Sequence, residues 1–251
     1  MEVTGFERLR ARACRLDPED ALASLDDAAA WIRERGAVTG TPCCSLPSLH
    51  VAIHEEPYRP GSRGFGLYPA TKWWWAGELA ARPGLHKLRI HRGKGLIVTE
   101  SVAQLADPLA RQALADAEAG ALGEDAQRLV VHLAEAGPSE LGDLQQELGL
   151  DARRLRAARE KLERVGAVVS RSLVLEPHAH TSELARWDQR FDPTAGDLDD
   201  LLLALVHAAV LIPEAELRKL LSWPLPTGTA ARLIASGRLR RVGDCVTVYP
   251  L

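Results

Sequence analysis

Residues 125–137, "DAQRLVVHLAEAG", carry apolar side chains at 129, 130, 133 and 134. That is the 3.6-residue spacing of a helix with one buried face, and Gly137 is the residue type that most readily takes the left-handed conformation past a helix C-terminus. In the following "PSELGDLQQELGL", Pro138 and Ser139 mark a second helix start, with Leu141, Leu144 and Leu148 on one side. A third helix opens at Asp151, an N-cap residue, and runs through "ARRLRAAREKLERVG" to Gly166. The β-branched run from Val168 to Leu175, bounded by a proline, predicts a strand. Three short helices followed by a strand pair are the order of a winged helix-turn-helix, whose third helix is the reader.

The same order returns near the C-terminus. "DLDDLLLALVHAAVL" reads as an apolar helix and "PEAELRKLLSW" as a second with Pro213 in its first turn. "TGTAARLIASG" reads as a third, capped by Thr227 or Thr229, and "RLRRVGDCVTVYP" as a hairpin turning at Gly243-Asp244. The N-terminal third reads as a diverged copy: "DALASLDDAAAWIRERG", the short "LPSLHVAIHE", the tryptophan helix "TKWWWAGELAARPG", and the hairpin "HKLRIHRGKGLIVTE" with its basic turn. A helix over about 101–119 bridges to the middle unit. The expected organisation is an extension at 1–19, winged-helix units at 20–100 and 101–176, a linker at 177–196 and a third unit at 197–251. The predicted fold class is mainly α with small β-hairpin wings (α+β), arranged as tandem winged helix-turn-helix units.

Composition narrows the functional classes. Aromatics make up only 5% of the 251 residues, so the core must be built chiefly of Leu, Val and Ala. A net charge of −3 and a pI near 6.3 mean that any nucleic-acid site is a local basic face on an acidic body. No apolar run reaches membrane-spanning length and the N-terminus lacks the apolar stretch of a signal peptide, which points to a cytoplasmic protein without membrane contact. Cys14, Cys43, Cys44 and Cys245 contain no CxxC pair, so free thiols, no metal and no cofactor are expected. No Gly-rich phosphate loop, nucleophile elbow or dinucleotide fingerprint is present.

The succession "RGAVTGTPCCSLPSLHVAI", "TKWWWAGELA", "HKLRIHRGKGLIV" and "LVVHLAEAGPSELGDLQQELGL" resembles the AlkZ-related winged-helix proteins, relatives of the AlkZ-type glycosylases that repair alkylated and crosslinked purines. The resemblance covers about residues 20 to 175 and implies a tandem winged-helix fold and a link to DNA. The chain departs from the glycosylase branch in having no Gln-x-Gln or Gln-x-Asp motif; its paired Gln145-Gln146 are adjacent and lie in a predicted helix. Where the relatives are associated with a Trp-x-Trp-Lys-Asp pattern, Ala76 and Gly77 follow Trp75.

Several side chains are candidates for the chemistry. On the third middle helix, Leu155, Ala158, Leu162 and Val165 face inward, which leaves Arg153, Arg156, Glu160 and Arg164 on the opposite face. Guanidiniums so placed suit duplex DNA, and the bland alternative is a solvated face with Arg-Glu pairs. Arg92 and Lys94 in the first wing, Arg171 in the middle one, and Arg240 and Arg241 in the last extend this into a series of phosphate contacts. Three consecutive tryptophans sweep about 200° of a helix: Trp73 and Trp75 suit the core, whereas Trp74 must pack against a neighbouring unit, anchor a protein partner or stack on a base. For a glycosylase, Glu55, Glu56 and Glu78 are the carboxylates nearest the tryptophans in sequence. His178 and His180 in "HAH" could share a metal but read better as exposed loop histidines, and Asp197, Asp199 and Asp200 as a helix N-terminus.

Overall fold

Among the described residues, side-chain caps from Ser24, Thr99, Asp151 and Asp197 set four of the helix starts. In the computed structural model, which describes residues 2–175 and 179–250, helix α1 (Glu2–Ala13) precedes the first unit. There Ser24 accepts a hydrogen bond from the Asp27 amide and opens α2 (Leu25–Arg35). Strand β1 (Ala37–Thr39), the short α3 (Leu49–Ala52), the tryptophan helix α4 (Thr71–Ala81) and the hairpin β2 (Leu85–His91) and β3 (Lys94–Thr99) complete it. The bridge expected as one helix is two, α5 (Glu100–Leu105) and α6 (Asp107–Glu118), because Pro108 occupies the first turn of the second.

The middle unit contains α7 (Glu124–Ala136), β4 (Ser139–Glu140), α8 (Leu141–Glu147), α9 (Ala152–Arg164), β5 (Val168–Leu175) and β6 (Ala179–Arg186). The Asp151 carboxylate caps α9 through the Arg154 amide, as its residue type predicted. The last unit runs α10 (Leu198–Ala209), β7 (Ile212–Pro213), a 3-10 segment at Glu214–Lys219, α11 (Thr229–Ala235), β8 (Arg240–Val242) and β9 (Cys245–Thr247).

Among the described residues the strands make three antiparallel sheets of three, ordered β1-β3-β2, β4-β6-β5 and β7-β9-β8. The topology is the same each time. A short strand after the first helix pairs with the far strand of the hairpin, as Val38 does with Ile97, Ser139 with Leu184 and Ile212 with Val246. The chain is therefore an α+β fold in which one connectivity recurs three times.

Four expectations need correction. Residues 177–196 are not a plain linker: β6 pairs with β5 along its whole length, and Trp187 and Phe191 enter the core. Ser139 begins a strand rather than a helix. Pro213 also lies in a strand, tolerated because β7 is at the sheet edge and its missing N–H costs no ladder bond. Neither threonine caps α11: Gly228 does so at φ +83°, while the Thr229 hydroxyl donates to the Pro226 carbonyl at 2.8 Å.

The N-terminal extension is docked rather than separate. Phe6 packs with Leu211 and Val242, Cys14 is buried against the Ala208 and Ala209 carbonyls, and the Trp31 indole donates to the Ala13 carbonyl at 2.8 Å. The first and last units share one core, in which Leu88, Ile90 and Val98 meet Leu201, Leu205 and Val246. The middle unit has its own, around Leu129, Leu133, Leu155 and Leu162. No helix among the described residues is long and apolar enough to cross a membrane.

A single carboxylate joins the bridge to the segment after β6. Asp107 is 1% exposed; it accepts from Arg111 Nε at 2.8 and 3.0 Å, from the Trp187 indole at 2.7 Å and from the Thr194 amide at 2.9 Å. The Thr194 hydroxyl donates to the Gln104 carbonyl at 2.6 Å. Gly196 lies so close to the Leu105 backbone that a Cβ there would collide with it. Removing the carboxylate leaves buried donors unpaired, so Asp107→Ala is expected to cost about 3–5 kcal/mol. Trp187→Phe, which deletes one hydrogen bond to a charged acceptor, should cost about 2 kcal/mol. Urea unfolding of both variants checks the order, and equal losses would refute it.

Candidate functional site

Helix α9 presents the most extensive candidate face. Leu155, Ala158 and Leu162 are buried in the middle core, while Arg153, Arg156 and Arg164 are exposed. Among the described residues the Arg153 and Arg164 guanidiniums have no ion-pair partner, whereas Arg156 Nε donates to Glu160 at 2.8 Å. The helix cannot roll freely. Glu163, 2% exposed, lies 3.1 Å from Arg89 Nε of β2 and 3.5 Å from Arg159 Nε. Lys87 lies nearby, its pKa pushed down by burial and then by the Arg89 charge. One side of α9 is thus fixed to the first unit, and the Arg153–Arg164 stripe is left facing outward.

The cations of the hairpins divide by what already holds them. Arg92 takes a positive φ of 52° at the β2–β3 turn, where its amide donates to Ser222 Oγ at 3.0 Å; its side chain and that of Lys94 are exposed and unpaired among the described residues. Arg171 is exposed but faces Glu183, its cross-strand partner, at 3.7 Å. Arg241 donates from Nε to Glu214 at 2.9 Å. Arg240 has another contact: its guanidinium lies 5.3 Å from the centre of the Phe6 ring, where it packs α1 onto the last unit. The acidic cluster has structural uses, with Asp197 capping α10 and Asp199 and Asp200 holding Arg232 and Arg238.

Trp74 lies on the surface of the tryptophan helix. Its ring is 58% exposed and lines a surface groove of about 490 Å³ with Tyr58, Arg59 and Arg63. Trp75 joins the first unit's core beside Trp31 and Leu79, and the Trp73 side chain lies outside the described residues. Glu55, Glu56 and Glu78 are exposed, and none of them lines this groove. His178 and the His180 side chain likewise lie outside the described residues.

The tightest grouping of reactive side chains escaped the spacing argument. Cys43, Cys44 and His91 bring their donor atoms within 4.8 Å of one another. His91 ends β2, and its Nδ1 hydrogen-bonds the Leu220 carbonyl, which turns Nε2 toward Cys43 Sγ at 3.6 Å. The cysteine loop is pinned next door, where the Ser45 amide and hydroxyl both donate to Glu216 at 2.7 Å. A hydrogen bond from Cys44, then one from His91, lowers the Cys43 pKa to about 5. Cys44 is pushed up by the same bond and by burial. Burial opposes protonation of His91, but its bonds to Cys43 and Leu220 outweigh that and raise its pKa. All four cysteines are free. The signal was hard to find because "CC" is not a ligand spacing and His91 is 48 residues from Cys43.

Cys43 is exposed and held as a thiolate, so it should be the first cysteine alkylated by iodoacetamide, at a rate nearly constant between about pH 6 and 8. An ordinary thiol, with a pKa of about 8.5, slows roughly tenfold per unit over that range. Peptide mapping of the rate against pH checks this, and an ordinary slope at Cys43 would refute the thiolate. Comparison of the chain with family models, curated proteins and solved structures gave no match to any of them, so the geometry alone carries the functional reading.

Proposed function

We propose that the chain is a DNA-binding protein of tandem winged-helix architecture, acting in DNA repair or its regulation, which engages duplex DNA through α9 and the hairpin turns. The observation that carries this reading is the outward stripe of Arg153, Arg156 and Arg164 on the helix immediately before the β5–β6 hairpin. The thrice-repeated connectivity supports it, since helix, strand, helical segment and hairpin is the winged-helix order. Arg92 and Lys94 at the β2–β3 turn would add phosphate contacts, and Arg171 and Arg241 would join them by exchanging their carboxylates for phosphate. The location proposed is the cytoplasm.

One observation favours a second reading, a protein-interaction module. Trp74 and Tyr58, 58% and 61% exposed, sit at the same groove, and large exposed aromatics of this kind are typical interface anchors. The glycosylase alternative gains nothing comparable, because among the described residues Glu55, Glu56 and Glu78 do not line the groove that holds Trp74.

Fluorescence anisotropy with a random-sequence duplex from about 50 to 200 mM salt distinguishes these readings. Each phosphate neutralised contributes about −0.9 to the log-log salt slope, so Arg153→Ala, Arg156→Ala and Arg164→Ala combined should flatten it by about 2 to 3 units and weaken binding at least tenfold. Arg240→Ala should leave the slope unchanged. Unaltered binding by the triple variant would overturn α9 as the DNA-binding face, absence of binding even at the lowest salt would overturn the DNA reading itself, and no release of base from alkylated duplex is expected.

A further inference from the structure

We propose that Cys43, Cys44 and His91 form a binding site for zinc, with two sulfur ligands, one imidazole nitrogen and a fourth position open to solvent. The proposal does not depend on DNA binding. It begins with geometry. Zn–S and Zn–N bonds of about 2.3 and 2.05 Å at tetrahedral angles place sulfur and nitrogen about 3.6 Å apart and two sulfurs about 3.8 Å apart. Cys43 Sγ and His91 Nε2 stand 3.6 Å apart, already one edge of such a tetrahedron, and all three donors lie within 4.8 Å. With every separation at or below 4.8 Å, no pair of donors has to close by more than about 1 Å to reach that spacing.

The surroundings match what a metal-binding histidine requires. Its second nitrogen normally binds a carbonyl or carboxylate, which fixes the ring and the ligating atom; here Nδ1 is held by the Leu220 carbonyl and Nε2 is the atom presented to the sulfurs. The ligands come from two anchored places. His91 ends β2, next to Ile90, whose carbonyl accepts from the Ser222 amide at 2.8 Å, and the cysteine loop is clamped through Ser45 to Glu216. The Glu216 carboxylate also adds negative charge beside the site, offsetting Lys94, which stands on the other side of the turn. Cys43 is exposed, Cys44 intermediate and His91 buried, so the site is rooted in the core and open at one end.

Two cysteine sulfurs and an imidazole, which give up their protons as the metal binds, match the softness of zinc better than that of calcium or magnesium, which prefer oxygen. The donors and their supports span the first unit (Cys43, Cys44, His91) and the last (Glu216, Leu220). A bound ion would therefore brace the junction of the two units.

The test uses the full chain, reduced and stripped of metal, titrated with zinc against a chromophoric chelator and separately with cobalt(II) as a spectroscopic substitute. One equivalent of zinc should bind, cobalt should produce a thiolate-to-metal charge-transfer band in the near ultraviolet, and zinc should raise the melting temperature. Cys43→Ser, at an exposed position, should keep the fold and weaken zinc at least about a hundredfold, His91→Asn should act in the same direction, and Cys245→Ser should have no effect. Absence of stoichiometric zinc, absence of the charge-transfer band, or undiminished affinity in Cys43→Ser would each overturn the proposal.

Discussion

The arrangement of the three units depends on the buried carboxylate of Asp107. An ionised group taken out of water is costly unless its lone pairs are filled, and here Arg111, Trp187 and Thr194 fill them from three points along the chain. Two of those partners belong to the segment that leaves β6, so the charge can be satisfied only when that segment folds back over α6. Arg111 reinforces this by also donating to the Phe191 carbonyl at 2.6 Å. Apolar packing would favour many ways of covering the bridge helices; the hydrogen-bonding requirement of one carboxylate selects a particular one. The shared core of the first and last units follows from that path, because the returning chain delivers α10 against β1 and α5.

Glu163 plays the corresponding part between the first and middle units, by different means. Its two guanidinium neighbours are close enough for ion pairing, but neither is aligned for a hydrogen bond. The attraction is therefore chiefly coulombic and tolerant of small shifts, unlike the directional bonds at Asp107. It still determines how α9 is presented, since the helix is held by Glu163 on one side and by its apolar face on another. Asp125 adds an outer brace, accepting from Arg154 at 2.6 and 3.0 Å. On α9, Arg159 anchors from a mostly buried position and Arg154 from an exposed one, whereas Arg153 and Arg164 face solvent without an ion-pair partner among the described residues.

Local patterns in the sequence carried most of the secondary structure. The leucine spacing of α7 and α9, the Asp151 cap and the Gly243-Asp244 turn depend on near neighbours, and they appear in the structure as residue type alone suggests. What was not legible depends on distant partners. Strand β4 is two residues long and exists only because Ser139 and Glu140 meet β6, and β6 itself carries polar residues such as Thr181, Ser182 and Glu183 that read as loop. Arg240 looked like a wing cation because nothing near it in sequence reveals that Phe6 will arrive beneath it. The cysteine–histidine cluster was hidden for the same reason, its members lying on a loop and a hairpin end that only β1–β3 pairing and the last unit bring together.

The candidate basic path is better judged by what each cation must give up than by how many cations there are. Arg153, Arg164, Arg92 and Lys94 hold no ion pair among the described residues and would surrender only hydration to a phosphate. Arg156, Arg171 and Arg241 must exchange a carboxylate, but exposed pairs of this kind contribute about 0–1 kcal/mol, so the exchange is nearly neutral. Arg240 is different, because releasing it strips a cation from an aromatic face and loosens α1 from the last unit. The acidic total charge is compatible with such a path: the carboxylates nearest these cations are largely committed to caps and ion pairs, and screening over about 8–10 Å at physiological salt keeps the remaining ones from cancelling a local basic stripe. The DNA proposal therefore rests on the face of α9 and the β2–β3 turn, with Arg241 the cation that the last hairpin could add.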